Sequence, residues 1–259
     1  MTAAGLARLM VTRPEPQAGD WVRRLSAHGL PAQALPLLAI GPAPDADAVR
    51  AMAASLRVGM LVMFVSPNAV QQFLAALPPD WTWPAGVRAG CTGPGTAQAL
   101  TAAGVPAAAV TAPDLGESLD SEGLWARLKD EDWAGRGVWI VRGDGGRDWF
   151  SSTLRAAGAQ VHVLQAYVRG TPSWTDGQRA QAEAAVNDPA HSCWLLSSSE
   201  AVAHLGLLLP QADWARARAL ATHPRIVARA RQAGFGQVDL IEPGVEGVVR
   251  AVGAARAAP

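Results

Sequence analysis

The run Met60-Leu61-Val62-Met63-Phe64-Val65-Ser66-Pro67-Asn68-Ala69-Val70 decides how the chain is read. Met60–Ser66 is a short, unbroken apolar stretch, of the length expected for a strand buried on both faces. Ser66-Pro67-Asn68 then leads into Ala-rich sequence of helical length, and a Ser at that entry caps a helix. The same alternation recurs along the chain. Further candidate strands are Leu9–Thr12, Val87–Thr92, Ala107–Thr111, Gly137–Arg142, Val161–Tyr167, Cys193–Ser197, Ala219–Thr222 and Val238–Ile241. Strands alternating with helices read as βα units and predict parallel sheet.

Three segments of the chain recur. Arg13, Leu25, Gly29 and Leu35 return 129 positions later as Arg142, Leu154, Gly158 and Leu164. Ser66, Ala69, Val70, Leu77 and Pro78 return 132 later as Ser198, Ala201, Val202, Leu209 and Pro210. Arg88, Pro94, Ala103, Gly104 and Pro113 return 130 later as Arg218, Pro224, Ala233, Gly234 and Pro243. Offsets this similar point to a duplicated half. Gly29, Gly104, Gly158 and Gly234 each close a helix before a strand, where the backbone turns through positive φ and a side chain would clash.

Two arrangements fit these repeats. Two sequential domains would divide near residue 125. Alternatively, the Pro/Gly-rich stretches Pro36–Pro44 and Arg169–Ser173 are crossovers, and the residues between them form one domain inserted into another made of both chain ends.

Composition narrows the function. At 259 residues, with 49% hydrophobic and 17% charged, the chain has material for two packed cores. Lys plus Arg and Asp plus Glu both number 22, so the basic surplus of a general nucleic-acid binder is missing. The start, Met1–Arg13, has no signal-peptide core, and no run approaches a membrane span; a cytoplasmic protein is expected. Cys91 and Cys193 sit in apolar runs and read as buried, reduced thiols. The histidines show no metal-ligand spacing, so no metal is expected. The Gly143-Asp144-Gly145-Gly146 loop lacks the Lys-Ser/Thr of a phosphate loop, and reads as a flexible turn. Trp81, Trp83, Trp133, Trp174 and Trp214 lie near element ends and read as packing caps.

A set of motifs carries a family resemblance. It comprises Val11-Thr12-Arg13-Pro14, Phe64-Val65-Ser66-Pro67-Asn68-Ala69-Val70, Thr92-Gly93-Pro94-Gly95-Thr96-Ala97, Arg142-Gly143-Asp144-Gly145-Gly146-Arg147, Val163-Leu164-Gln165-Ala166-Tyr167 and His223-Pro224-Arg225-Ile226-Val227. In this order and over nearly the whole chain, it resembles the uroporphyrinogen-III synthases. The resemblance implies an α/β protein of two flavodoxin-like parallel-sheet domains, one inserted in the other, joined by a two-stranded linker. With the crossovers, that places residues 1–37 and 172–259 in one domain and 38–171 in the inserted one. It also implies the reaction. Hydroxymethylbilane loses its hydroxyl, the last pyrrole ring is inverted through a spirocyclic intermediate, and closure gives the type III macrocycle. No cofactor is implied. The implied partner is a linear tetrapyrrole polycarboxylate, handled by a monomer without nucleic acid or membrane. A non-catalytic tetrapyrrole- or metabolite-binding protein of the same architecture is the alternative.

Such a substrate ionises readily, so the protein's main task is to restrain its conformation. Its carboxylates need donors, and loops entering helix N-termini offer free N–H groups. Ser66, Asn68, Thr92, Gly93, Gly95, Thr96, Ser197 and Ser198 fit that role, although Ser and Thr there also cap helices in any α/β protein. Arg13, Arg142, Gly143, Arg147 and Arg225 lie at or beyond strand ends, with Thr12 beside the first of them. An arginine there binds a carboxylate, pairs with an acid such as Asp20, Asp144 or Asp148, or is merely solvated. Tyr167, the chain's single tyrosine, matches the family tyrosine thought to assist departure of the hydroxyl. Ile226 stands where some family members carry a threonine, so no hydroxyl is offered there.

Overall fold

The computed structural model describes residues 5–114 and 118–257, with 254–257 as backbone only. The chain opens with β1 (Arg8–Val11), α1 (Gln17–Ala27) and β2 (Ala32–Ala34). It crosses through β3 (Ala39–Gly41) into α2 (Ala46–Ser55), β4 (Leu61–Phe64), α3 (Pro67–Ala75), β5 (Arg88–Cys91), α4 (Pro94–Ala102), β6 (Val110–Thr111), α5 (Ser121–Leu128), β7 (Gly137–Arg142), α6 (Trp149–Ala156) and β8 (Gln160–Gln165). It returns through β9 (Val168–Gly170) to α7 (Asp176–Asn187), β10 (Ser192–Leu196), α8 (Ser199–Leu208), β11 (Arg218–Ala221), α9 (Pro224–Gln232), β12 (Gln237–Leu240) and α10 (Val245–Ala257). Two compact units result: a terminal unit, Met1–Ala39 with Gly170–Pro259, and an inserted unit, Ile40–Arg169. The crossing strands β3 and β9 pair only with each other.

Each unit holds a five-stranded parallel sheet. The terminal order is β12-β11-β10-β1-β2 and the inserted order is β6-β5-β4-β7-β8. Replacing each strand by its repeat partner turns one order into the other. In chain order the terminal sheet reads 2-1-3-4-5, the flavodoxin arrangement. The inserted sheet reads 3-2-1-4-5, the same sheet with its chain opened at another loop. Strand order therefore reverses between β1 and β10 in one unit and between β4 and β7 in the other, which fixes where each sheet forms a crevice.

The recurring residues do the same work in both units. Ser66 Oγ accepts from the Ala69 N–H at 3.2 Å, and Ser198 Oγ from the Ala201 N–H at 3.3 Å. Pro94 and Pro224 each begin a helix, where a missing N–H is tolerated. Gly29, Gly158, Gly104 and Gly234 have φ of +72°, +95°, +85° and +100°. One repeat escapes the sequence: Arg50 donates to the Ala76 carbonyl and Arg179 to the Leu208 carbonyl, both at 3.2 Å, so each pins the end of the following helix.

Some expectations change. Ala107–Thr111 is not one strand: Ala107–Ala109 form a 3₁₀ turn and only Val110–Thr111 pair, with β5 alone. Burial on both faces holds for β4 and β10, whose residues are all buried, and fails at the edge strands β8 and β12. The short strands β2, β3 and β9 have no apolar run to announce them. The inserted sheet packs Phe64 and Phe73 edge to face on one side, and buries Trp133 and Leu154 on the other. The tryptophans are packing elements. Trp133 Nε1 donates to the Leu128 carbonyl and Trp83 Nε1 to that of Val87, while Trp214 stacks on Phe235.

Candidate functional site

At the β4/β7 reversal the inserted unit carries a cavity of about 310 Å³. β7 ends in Arg142, and the chain does not enter α6 at once. Gly143–Asp148 stay in a loop, with φ of +70° at Gly145 and +132° at Gly146, a region L side chains avoid. The loop passes beneath two arginines. A Cβ on Gly146 would lie 3.3 Å from Arg142 Nη1, and one on Gly145 would lie 3.9 Å from Arg169 Nη2.

Tyr167 follows β8 and is only 5% exposed. Its ring rests on the Gly143 backbone, so closely that a Cβ there would stand 2.6 Å from Cε2 and 2.7 Å from Cζ. Its hydroxyl lies 3.3 Å from Ser66 Oγ. Glycine at 143 is thus a steric requirement of the tyrosine.

Three arginines line the cavity, and each holds an acid. Arg142 donates to Asp148 at 3.1 Å; Arg147 grips Glu122 through both nitrogens at 2.7 and 2.8 Å; Arg169 Nε donates to Asp144 at 3.2 Å. The Glu122 hydrogen bond raises the Arg147 pKa. Asp120 caps α5 at the cavity wall. Burial pulls its pKa upward, but the Ser118 hydroxyl and the Gly123 N–H leave it below the ordinary value. An incoming carboxylate would therefore compete with a protein carboxylate at each arginine.

The cavity brings together five of the residues expected from sequence: Thr92, Arg142, Gly143, Arg147 and Tyr167. Ser66 is not among the lining residues but lies against the Tyr167 hydroxyl. Asn68 and Thr96 are buried near the starts of α3 and α4, and Gly93 precedes α4, in which Gly95 is exposed. Arg169 and Asp120 went unrecognised in the sequence. Arg169 was read only as crossover, although it stands two residues past the tyrosine and points at the glycine loop.

The terminal unit presents the corresponding sheet end. Thr12 is buried and its hydroxyl donates to the Leu195 carbonyl at 2.6 Å, so its proton serves the β1–β10 junction. The Arg13 guanidinium lies 4.2 Å above the Trp21 ring and 3.4 Å from Gln17 Oε1; its Nε is buried without a hydrogen-bond partner. Among the described residues no carboxylate pairs with it. Burial lowers its pKa to about 10, which leaves it charged at neutral pH. Ser197 and Ser198 precede α8. Arg225 is exposed on α9, where its N–H donates to His223 Nδ1, and Ile226 is buried. Cys91 and Cys193 are free and buried, and burial raises both thiols, Cys193 to about 12. Among the described residues no group of three or more acids, histidines or cysteines could hold a metal ion.

The family model described as "Uroporphyrinogen-III synthase HemD" matches residues 19–249. The uroporphyrinogen-III synthase of Salmonella typhimurium is 28% identical over 242 residues, covering 90% of this chain and 94% of the relative. That of Escherichia coli is 29% identical over 243 residues, with the same coverage. The crystal structure of a Helicobacter pylori uroporphyrinogen-III synthetase covers 97% of this chain and all of its own, at a TM-score of 0.59 and 13% identity, and so supports the fold. With the family model matched over most of its length, the chain belongs to the uroporphyrinogen-III synthase family.

Proposed function

We propose that the cavity of the inserted unit is where this lyase holds the hydroxymethyl-bearing end of hydroxymethylbilane, with Tyr167 assisting loss of the hydroxyl. The observation that carries this reading is Tyr167 itself: the chain's single phenol lines a cavity together with Arg142, Arg147 and Arg169. A phenol is a hydrogen-bond donor at neutral pH. It stabilises the oxygen as the carbon–oxygen bond breaks, and the pyrrole nitrogen supplies the electrons. The arginines take substrate carboxylates, Thr92 adds a donor, and the N-terminal turns behind Gly93, Gly95 and Ser198 add backbone N–H groups. In the terminal unit Arg13, Ser197 and Arg225 offer a second set of carboxylate donors, and Thr12, Asn68 and Thr96 support the loops from within. Because closure of the free chain gives the uninverted ring, restraint of conformation decides the product.

The domain limits drawn from the sequence, residues 1–37 with 172–259 and 38–171, belong to this reading, as do a monomeric state, a cytoplasmic setting and the lack of a nucleic-acid partner. No helix among the described residues is long and apolar enough to cross a membrane.

The test supplies freshly made hydroxymethylbilane, oxidises the products and resolves the type I and type III isomers. Type III should predominate with the parent chain. Tyr167→Phe should slow its formation severalfold or more without loss of folding; an unchanged rate removes the role given to Tyr167.

A further inference from the structure

We infer that Ser66 is a positioning residue that aims the Tyr167 hydroxyl into the cavity, rather than a donor to substrate. The inference rests on the catalytic reading of Tyr167 and extends it to a residue outside the cavity lining.

A serine hydroxyl has one proton and two lone pairs. One lone pair of Ser66 accepts from the Ala69 N–H at the start of α3, at 3.2 Å. The Tyr167 oxygen stands 3.3 Å from the same hydroxyl. If the phenol donated to Ser66, its one proton would be engaged there and could not meet the departing oxygen. With Ser66 donating instead, the polarity runs in one direction: Ala69 N–H to Ser66, Ser66 O–H to the phenol oxygen, phenol O–H to substrate. Donors aligned in this way polarise one another. The ring is fixed from below by the Gly143 backbone, so Ser66 needs only to set the direction of the hydroxyl.

The step balances. As the carbon–oxygen bond breaks, its electron pair goes to oxygen, and the phenol proton passes to that oxygen to form water. Ser66 then donates to the resulting phenolate, which recovers a proton from the pyrrole N–H of the cationic intermediate, leaving the azafulvene.

The terminal unit shows what capping alone looks like. Ser198 accepts from Ala201 at 3.3 Å, and the position matching Tyr167 holds Leu38. A cap serine therefore needs no tyrosine beside it.

The test uses the fact that the chain has one tyrosine. Carbon-13 at its Cζ gives one resonance, sensitive to hydrogen bonds at the phenol oxygen. Ser66→Ala should move that resonance and lower kcat about 5- to 10-fold with KM unchanged, the loss expected for one hydrogen bond of about 1 kcal/mol. Ser66→Thr should restore both. Ser66→Gly, which retains most of the cap stability, should behave like Ser66→Ala and so separates the effect from unfolding. In a Tyr167→Phe background, Ser66→Ala should cost nothing further. An unmoved resonance, an effect confined to KM, or a full additional loss in the Tyr167→Phe background each overturns the inference. The last would place Ser66 on the substrate itself. If Tyr167→Phe alone keeps full activity, the catalytic reading fails instead, whatever the resonance does.

Discussion

The two units have sheets of matching strand order and differ in the loop that leaves the first strand past the reversal. After β1 the terminal unit reads Pro14-Glu15-Pro16 and enters α1 at Gln17; after β7 the inserted unit reads Gly143-Asp144-Gly145-Gly146-Arg147-Asp148 and enters α6 only at Trp149. By the repeat offset of 129, α1 starts three residues sooner. Two glycines at positive φ hold those residues off the helix, and the space so left is part of the cavity. A second difference adds to it. Glu122-Gly123 and Glu246-Gly247 occupy matching places, since a Cβ on either glycine would strike the carbonyl five residues before it, at 1.9 and 2.0 Å. Their offset is 124, not 130, so the inserted unit has six more residues on the way from β6 to α5. Leu119, Asp120 and Ser121, at the end of that path, line the cavity. The two sheets are alike in strand order, and in the inserted unit these longer loops line the cavity at the β4/β7 reversal.

The largest expected effect breaks this difference at Gly143. Its counterpart, Pro14, carries a side chain, and Leu38 stands in the place of Tyr167. Gly143→Ala drives a Cβ into a buried ring, and a reacting group misplaced by about 1 Å costs on the order of 100-fold in kcat. Overpacking adds a stability loss of about 1–3 kcal/mol. Type III formation read beside urea unfolding checks both, and activity within twofold of the parent would show that Tyr167 has room to move. Next comes the arginine pair. Among the described residues Arg13 pairs with no acid, whereas Arg142 holds Asp148, which competes for it. A charge-assisted bond contributes about 1.5–3 kcal/mol, so Arg13→Ala should raise KM about 10- to 100-fold. Arg142→Ala should raise it about 3-fold, by the same exchange argument. Asp148→Asn should then make Arg142 behave like Arg13; equal KM effects in the two single arginine variants would remove the distinction. Smaller again is Glu122→Gln, which frees Arg147 and should lower KM about 2-fold, an effect that fades with salt because both groups are exposed.

How much of this could be read from the chain depends on the kind of signal. Arg142, Gly143 and Tyr167 are visible because a strand end, a glycine loop and a lone tyrosine are local patterns. The repeat offsets pair the strands of the two sheets correctly, since each partner strand occupies the partner place. Three features are hidden. Asp144 and Asp148 are legible as arginine partners, but which arginine takes each depends on side-chain reach, and Glu122 lies 25 residues from Arg147. Ser66 and Tyr167 meet across 101 residues, because β4 and β8 flank β7 in one sheet. The match of Glu122-Gly123 to Glu246-Gly247 is lost because the longer loop shifts the offset just where a fixed-offset search would look.

A last expected effect is on stability and not on activity, and lies at the opposite end of the sheets, where the units again differ at matched arginines. Arg88, at the start of β5, donates to both oxygens of Glu131 at 2.8 and 2.6 Å, and Arg136 joins at 2.7 Å. Its partner Arg218, at the start of β11, donates to neutral Gln237 at 3.1 Å. Burial pushes the Glu131 pKa up, but hydrogen bonds and charge from Arg88 and then Arg136 bring it below the ordinary value. Because the folded pKa is the lower one, its stabilisation is complete above the unfolded value of about 4.3 and disappears as pH falls through the folded value. The effect is about 1 kcal/mol, as for other partly exposed pairs. The protection factors of the β5 amides should therefore fall below about pH 4.3, and Glu131→Gln should abolish that acid dependence. The same substitution should leave β11 unchanged. Gln237→Glu should confer on β11 the acid sensitivity it lacks, since a carboxylate would then face Arg218. If β11 with Glu at 237 stays as acid-resistant as before, the contrast belongs to the wider packing of each unit and not to these two side chains.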